Sequence, residues 1–429
     1  MRDHLELIRR TAHIAVGLVA LATGPLAFQA EAPADEQPFP ADVSKKGLQV
    51  QLVDDALALG LGHAALNVEL GSLLEVRPEA APRVDEAAFA GLDARVRALS
   101  EAGVVVHLIL LARETGRPAI DELLLHPERE RPAPNRLAAW NVREERGRAL
   151  LTHVLEALAE RYARGGPHGR VWGWIVGNEV NAHRQWHNQG RASFEEVVAD
   201  YERAVRLVHE AVSARAANAR VYLSLEHHWA HAPASWGDGA GVGARPFLRA
   251  FAARSRSRGD FAWHVAHHPY PENLFDPQFW EDASATHSPA AERVTPRNLD
   301  VLYAELEREE LRFAGAPRRV LFSEQGFHCP EGAAGERLQA AALAALWRLV
   351  GEESRVDGFV LHRHVDHAHE GGLRLGLWAR RADSVCAPER RRLAWEVWRA
   401  CDTEDEARAH AFALDVLGVE SWEAWRAGL

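Results

Sequence analysis

The sequence predicts an α/β chain folded as a (β/α)8 TIM barrel with a C-terminal helical cap, and three observations carry that expectation. From Ser44 onward, seven short apolar runs of strand character alternate with amphipathic helical runs. The strand runs are apolar on both faces, as in a parallel sheet covered by helices. A chain of 429 residues can also bury one large core, since α/β barrels commonly run to about 250 residues or more as a single unit.

The strand candidates, in order, are His63 to Leu70, Val104 to Ala112, Val171 to Val180, Val221 to Trp229, Phe261 to Tyr270, Arg319 to Gly326 and Val356 to His364. An eighth strand would close the barrel and should precede His63. Leu48, Val50 and Leu52 alternate with Gln49 and Gln51 as a strand would, yet Leu48, Leu52, Ala56 and Leu59 also fit a helix. If that stretch is helix, strand one must come from residues before 44. Between strands, Val84, Ala88, Leu92, Val96 and Leu99 keep a helical period until Gly103. Phe194, Val198, Tyr201, Val205, Val208 and Val212 do the same behind Ser193, with Glu196 completing a capping box. Thr295 and Pro296 open a helix carrying Leu299, Leu302, Leu306 and Phe313.

Two connections are longer than the 2–6 residues usual in α/β units: Arg113 to about Val142 and Pro271 to about Pro296. Both follow strand C-terminal ends, so they should wall a cleft. After Arg390 the chain reads as a helix from Arg391 to Ala400 and one or two short helices ending at Leu429. The expected organisation is therefore a signal peptide over 1–30, a linker over 31–43, the barrel over 44–400 and a helical extension over 401–429.

The N-terminal expectation rests on the apolar stretch Ile14 to Ala22 behind Arg9 and Arg10, followed by small residues and a Pro-rich run. That layout resembles a secretory signal peptide and would make the mature protein secreted or periplasmic. Asp3, Glu6 and His13 fit a buried N-terminal element of a cytoplasmic protein instead.

Composition narrows the chemistry. A net charge of −11 argues against nucleic acid as the main partner, because phosphate binding needs a basic surface. No apolar run reaches the 18 to 20 residues of a membrane span. Cys329, Cys386 and Cys401 offer neither a zinc frame nor a disulfide scaffold. With Lys45 and Lys46 the only lysines, Schiff-base and carbamylated-lysine chemistry have almost no candidates. No cofactor and no metal are expected, and no glycine-rich nucleotide loop is present.

Barrel enzymes keep their chemistry at strand C-terminal ends. Strand four ends in Asn178-Glu179 and strand seven in Glu324, so two carboxylates can face each other across the mouth. Hydrolysis of a glycosidic bond with retention needs such a pair about 5 to 5.5 Å apart, one to protonate the leaving oxygen and one to attack the anomeric carbon. Their environments should push the two pKa values apart.

The run Gly177-Asn178-Glu179 and the run Ser323-Glu324-Gln325-Gly326 together resemble clan A of the retaining glycoside hydrolases, over about residues 44 to 400. The block Ser44 to Leu70 also resembles the start of an uncharacterised family of bacterial glycosidase-like domains. The resemblance implies a (β/α)8 barrel acting on carbohydrate, Glu179 as general acid/base, Glu324 as nucleophile and Asn178 as donor to the sugar 2-hydroxyl. It also implies that His268 or Tyr270, in His267-His268-Pro269-Tyr270, holds Glu324 ionised. Where many clan members carry an arginine at the end of strand two, this chain has Asn67.

Further substrate contacts are expected from His267, from Glu226 and Trp229 at the end of strand five, and from His362 and Asp366 after strand eight. Trp229 and Trp378 are candidate stacking platforms. Trp140, Trp186, Trp229, Trp236, Trp280 and Trp378 all fall on expected loops or strand ends, which favours a long cleft for a poly- or oligosaccharide. The net charge speaks against a strongly acidic glycan unless Arg184, Arg245 or Arg363 reverses it locally. Two competing readings remain: a metal-dependent barrel hydrolase, suggested by 23 histidines, and a barrel that binds glycan without catalysis.

Overall fold

The computed structural model describes residues 34–77 and 80–429, and residues 34–429 form one compact unit. The expected signal peptide lies outside the described residues.

Eight parallel strands close into a barrel. They are β1 (Lys46–Gln49), β2 (His63–Glu69), β3 (Val105–Leu111), β4 (Val171–Val176), β5 (Arg220–Leu225), β6 (Trp263–His267), β7 (Val320–Gln325) and β8 (Val356–Leu361). Closure is made by β1, whose Gly47 pairs with His63 on one side and Val360 on the other. The two readings of residues 44–59 both hold, in succession: a four-residue strand followed by helix α1 (Val53–Ala58). So short a strand cannot show its period in sequence.

The outer layer is α2 (Ala90–Glu101), α3 (Glu145–Tyr162), α4 (Phe194–Ser213), α5 (Ala244–Ser257), α6 (Leu299–Leu306), α7 (Gly332–Val350) and α8 (Leu393–Ala400). The capping box at Ser193 and Glu196 is formed, and Thr295 caps a single 3-10 turn that leads into α6. Phe313 lies beyond that helix, because the chain turns at Glu307 and Phe313 pairs with Ala316. After α8 come α9 (Glu406–Leu417) and α10 (Trp422–Gly428). Two hairpins were not foreseen: Leu74–Arg77 with Ala80–Val84, and Trp378–Arg380 with Pro388–Arg391.

The main core fills the layer between strands and helices. A smaller cluster, including Ala65, Ile109, Ile175, Ala266, Leu321 and Val360, fills the barrel itself. Below it the N-terminal end of the barrel is plugged by polar groups. Tyr222 donates to Asp357 at 2.7 Å, Arg319 donates to the same carboxylate at 2.7 Å, and the His63 and His107 rings meet at 2.9 Å. Gly173 makes room for this layer: a Cβ there would sit 1.9 Å from His107 Nδ1. With the bottom plugged and the middle packed, an opening is left at the C-terminal mouth.

Candidate active site

That mouth holds a cavity of about 800 Å3, walled by residues that follow the strands and by both long connections. Glu179 enters it from β4. The chain leaves β4 at Gly177 with φ +71°, a region open to glycine at little cost. Glu179 itself sits at φ +42°, a conformation that costs a residue with a side chain about 1–3 kcal/mol. The strain is held by the packed turn, where Ser224 Oγ accepts the Glu179 N–H at 2.9 Å. Asn178, beside it, lines the cavity.

Glu324 enters from β7. Its Oε1 accepts the Tyr270 hydroxyl at 3.0 Å. His268 does not touch Glu324 directly: its Nδ1 lies 2.9 Å from Glu179 Oε1 and its Nε2 lies 3.0 Å from Ser323 Oγ. Glu179, His268 and Glu324 each bring one oxygen or nitrogen within 4.8 Å of the others. At least one oxygen of Glu179 therefore approaches one of Glu324 closely, the short kind of spacing that direct attack requires.

The two carboxyls are driven in opposite directions. Burial raises Glu179 above its ordinary value; His268 opposes this, and the charges of Glu324 and Glu226 add to it, leaving the net shift upward. Burial would also raise Glu324, but the charges of His362 and His268 and the Tyr270 hydroxyl outweigh it, and Glu324 lies below its ordinary value. Burial and the Glu324 charge push the Tyr270 phenol well up, so it remains a donor.

Glu226 follows β5 and also lines the cavity. It accepts Asn181 Nδ2 at 2.7 Å and the His228 N–H at 2.9 Å, with His228 Nδ1 at 2.6 Å. Against its burial, the ring and N–H of His228 and the charge of His227 hold its carboxyl down to about 2. On the far wall, His362 Nδ1 faces Gln49 Oε1 at 2.5 Å, its Nε2 faces Glu370 Oε1 at 3.2 Å, and Gln49 Nε2 donates to Asn67 Oδ1 at 3.0 Å.

Four expected site residues lie elsewhere. His267 points out of the barrel, its Nε2 3.1 Å from the Val294 carbonyl, because side chains alternate along β6 and His268 takes the inward position. Trp229 is fully buried in the layer between strands and helices. Asp366 is buried in an ion pair with Arg392 and accepts the Gly376 N–H at 2.8 Å. Trp378 donates to Asp55 at 2.8 Å and is absent from the described cavity wall. Of the six tryptophans expected on loops or strand ends, Trp186 and Trp236 line the cavity. Trp140 and Trp229 are core, and Trp280 packs against it.

Arg363 lines the cavity, paired with Glu370; Arg184 and Arg245 pair with Glu130 and Glu305 instead. Sequence reasoning missed Gln49, Gln51, Arg95, Arg113 and Glu370 as wall residues. Glu370 sits in a loop already expected to touch substrate, but nothing in the helical period of α2 singles out Arg95.

By proximity, Glu226, His227 and His228, or Glu179, His268 and Glu324, could hold a cation. In the second group both nitrogens of His268 are already engaged.

The fold is a closed parallel barrel shared with solved glycosidases. Solved structures similar to this one include a family 39 glycoside hydrolase from the gut symbiont Bacteroides cellulosilyticus WH2, at 14% identity and TM-score 0.52, the match covering 85% of this chain and 65% of that one. A hyperthermophilic beta-glucosidase from Pyrococcus furiosus matches at 16% identity and TM-score 0.52 over 85% of this chain and 86% of that one. A glucosidase from Croceicoccus marinus matches at 13% identity and TM-score 0.50 over 86% and 66%. The chain thus spans less than two thirds of the first of these.

In sequence, the model described as "Family of unknown function (DUF5722)" matches residues 38–425, and the chain belongs to that family. No curated protein matches it.

Proposed function

We propose that the protein is a retaining glycoside hydrolase that cleaves a poly- or oligosaccharide by double displacement. The observation that carries this reading is the pair Glu179 and Glu324, with an oxygen of each within 4.8 Å of the other and their pKa values driven in opposite directions. Ionised Glu324 attacks the anomeric carbon while protonated Glu179 delivers its proton to the leaving oxygen. Glu179, now a carboxylate, then takes a proton from water, which attacks the same carbon and releases Glu324. Asn178, next to Glu179 on the wall, is the donor assigned to the sugar 2-hydroxyl. Tyr270 holds the nucleophile ionised before attack. The likeness of fold to glycosidases supports the same class, and the N-terminal residues would carry the enzyme out of the cytoplasm.

The test is turnover of a panel of aryl β-glycosides and plant, algal and bacterial polysaccharides by wild type and Glu324→Gln. Hydrolysis by wild type that is lost in the variant supports the reading. A sugar bound equally by both with no hydrolysis by either would favour a glycan-binding barrel. The two Glu/His groups keep a metal-dependent hydrolase as the second reading; activity lost in EDTA and restored by a divalent cation would favour it.

A further inference from the structure

Three arginines line the cavity: Arg95, Arg113 and Arg363. Arg113 is paired with Glu69 at 2.8 Å and Arg363 with Glu370. Arg95, on α2, has no ion-pair partner among the described residues; burial alone moves its pKa, downward. Its Nη2 donates to the carbonyl of Val50, just past β1, which fixes the guanidinium at the edge of the cavity. A part-buried cation without a counter-charge is costly, and a guanidinium with free N–H groups is shaped to take a planar or tetrahedral oxyanion.

The neighbouring amides are oriented to match. Gln51, peptide-bonded to Val50, accepts the Val365 N–H at 3.1 Å through Oε1, which leaves its NH2 group for the cavity. Gln49 Oε1 faces His362, and Gln49 Nε2 donates to Asn67 Oδ1, so exposed Asn67 also keeps its NH2 group. Along this wall the internal hydrogen bonds use up the acceptors and leave donors. Of the cavity's carboxylates, Glu179, Glu226 and Glu324 belong to the walls after β4, β5 and β7, while Glu370, on the adjoining β8 side, is engaged by Arg363 and His362.

We propose that Arg95, Gln51 and Asn67 form an anion subsite, and that the glycan carries a carboxylate or sulfate ester at this edge. The inference rests on the glycosidase reading for the class of ligand and goes beyond it in naming the charge of the substrate. It runs against the expectation from net charge, because local donors rather than the sum over the chain decide what a pocket accepts.

The test uses Glu324→Gln, which permits binding without turnover, and two matched sets of oligosaccharides. One set is uronate-containing chains with their carboxyl-reduced counterparts, and the other is sulfated chains with their desulfated counterparts. Calorimetry should show a preference of about 10-fold or more for the charged member of one set, which names the source of the anion. Adding Arg95→Gln should lower affinity for that member about 10- to 100-fold, the size of one charge-assisted contact, and leave the neutral member unchanged. Arg95→Lys should recover part of the loss, with thermal melting used to confirm that each variant is folded.

Equal binding of charged and neutral members, an equal loss for both in Arg95→Gln, or failure of every charged member to bind would each overturn the subsite. Glu324-dependent hydrolysis of a neutral glycan with no charge preference would remove the subsite and keep the glycosidase reading. Arg95-dependent binding of a charged glycan that wild type never hydrolyses would keep the subsite and remove that reading.

Discussion

Replacing His268 with alanine should move the pH profile of kcat/KM upward, and by different amounts on its two limbs. The imidazole is 2.9 Å from Glu179 Oε1 in a buried setting, and its bond and charge both lower the Glu179 pKa. Hydrogen bonds to charged groups contribute about 1.5–3 kcal/mol, and about 1.4 kcal/mol corresponds to one pKa unit. Without the ring, Glu179 should therefore stay protonated to a pH about 1 to 2 units higher, and the alkaline limb should follow. Glu324 feels His268 only as a charge, with no direct bond. Its pKa should rise too, by less than a unit, so the acid limb moves a shorter way and the bell broadens as it climbs. The assay is kcat/KM between pH 4 and 10 on whichever glycoside the panel identifies, with melting temperature recorded because the ring is buried against Ser323. An alkaline limb that stays in place or moves down in a folded variant would refute the assignment of Glu179 as the proton donor.

Tyr270→Phe removes the hydroxyl that donates to Glu324 at 3.0 Å, so the acid limb should rise by about 1 unit while the alkaline limb moves little; a pH titration of kcat/KM reads both. Glu179→Ala should slow substrates with poor leaving groups about 10²- to 10⁴-fold and abolish the alkaline limb, with activated aryl glycosides spared in the first step; an unaltered profile would falsify the role. Asp366→Ala leaves the buried Arg392 without its partner, a loss of about 3–5 kcal/mol that denaturant unfolding should register. EDTA should leave activity intact if the two glutamates carry the reaction, and its measurement separates them from metal-assisted hydrolysis.

The strands were legible because a parallel sheet buried on both faces writes itself as apolar runs of about six residues, and β3, with seven buried residues, is the plainest case. That Glu179 and Glu324 would meet at the barrel mouth was legible because both stand at strand C-terminal ends. What failed was the direction of single side chains. His267 and His268 are adjacent and chemically identical, and only the pleat of β6 decides which one faces in. Trp229 and Trp236 both follow β5, yet one is core and the other cavity wall. Asp366 read as a substrate ligand because its partner Arg392 lies 26 residues away, across a hairpin that leaves little period in sequence. Arg95 was invisible for the opposite reason: on a helix, an arginine reads as solvent-facing until the carbonyl it touches is known.

The opposite pKa shifts of the two glutamates trace in part to one strand end. Past β6 the Tyr270 N–H donates to the His268 carbonyl at 2.9 Å, a tight turn around Pro269. It aims the ring of His268 at Glu179 and the hydroxyl of Tyr270 at Glu324. Both glutamates are half-buried in the cavity wall, so desolvation pushes both upward and cannot by itself tell them apart. The difference comes from donors and charge: Glu324 has a phenol that can only donate and the charge of His362, whereas Glu179 has the single imidazole and feels the Glu324 charge. An ionised Glu324 adds its field to the burial that raises Glu179, so in the proposed mechanism the nucleophile helps prepare the acid of the first step. When Glu324 loses its charge in the glycosyl intermediate, that field disappears and the Glu179 pKa should fall. On the proposed mechanism, the group that first gives a proton would thereby be readied to hold the charge of a base in the second step.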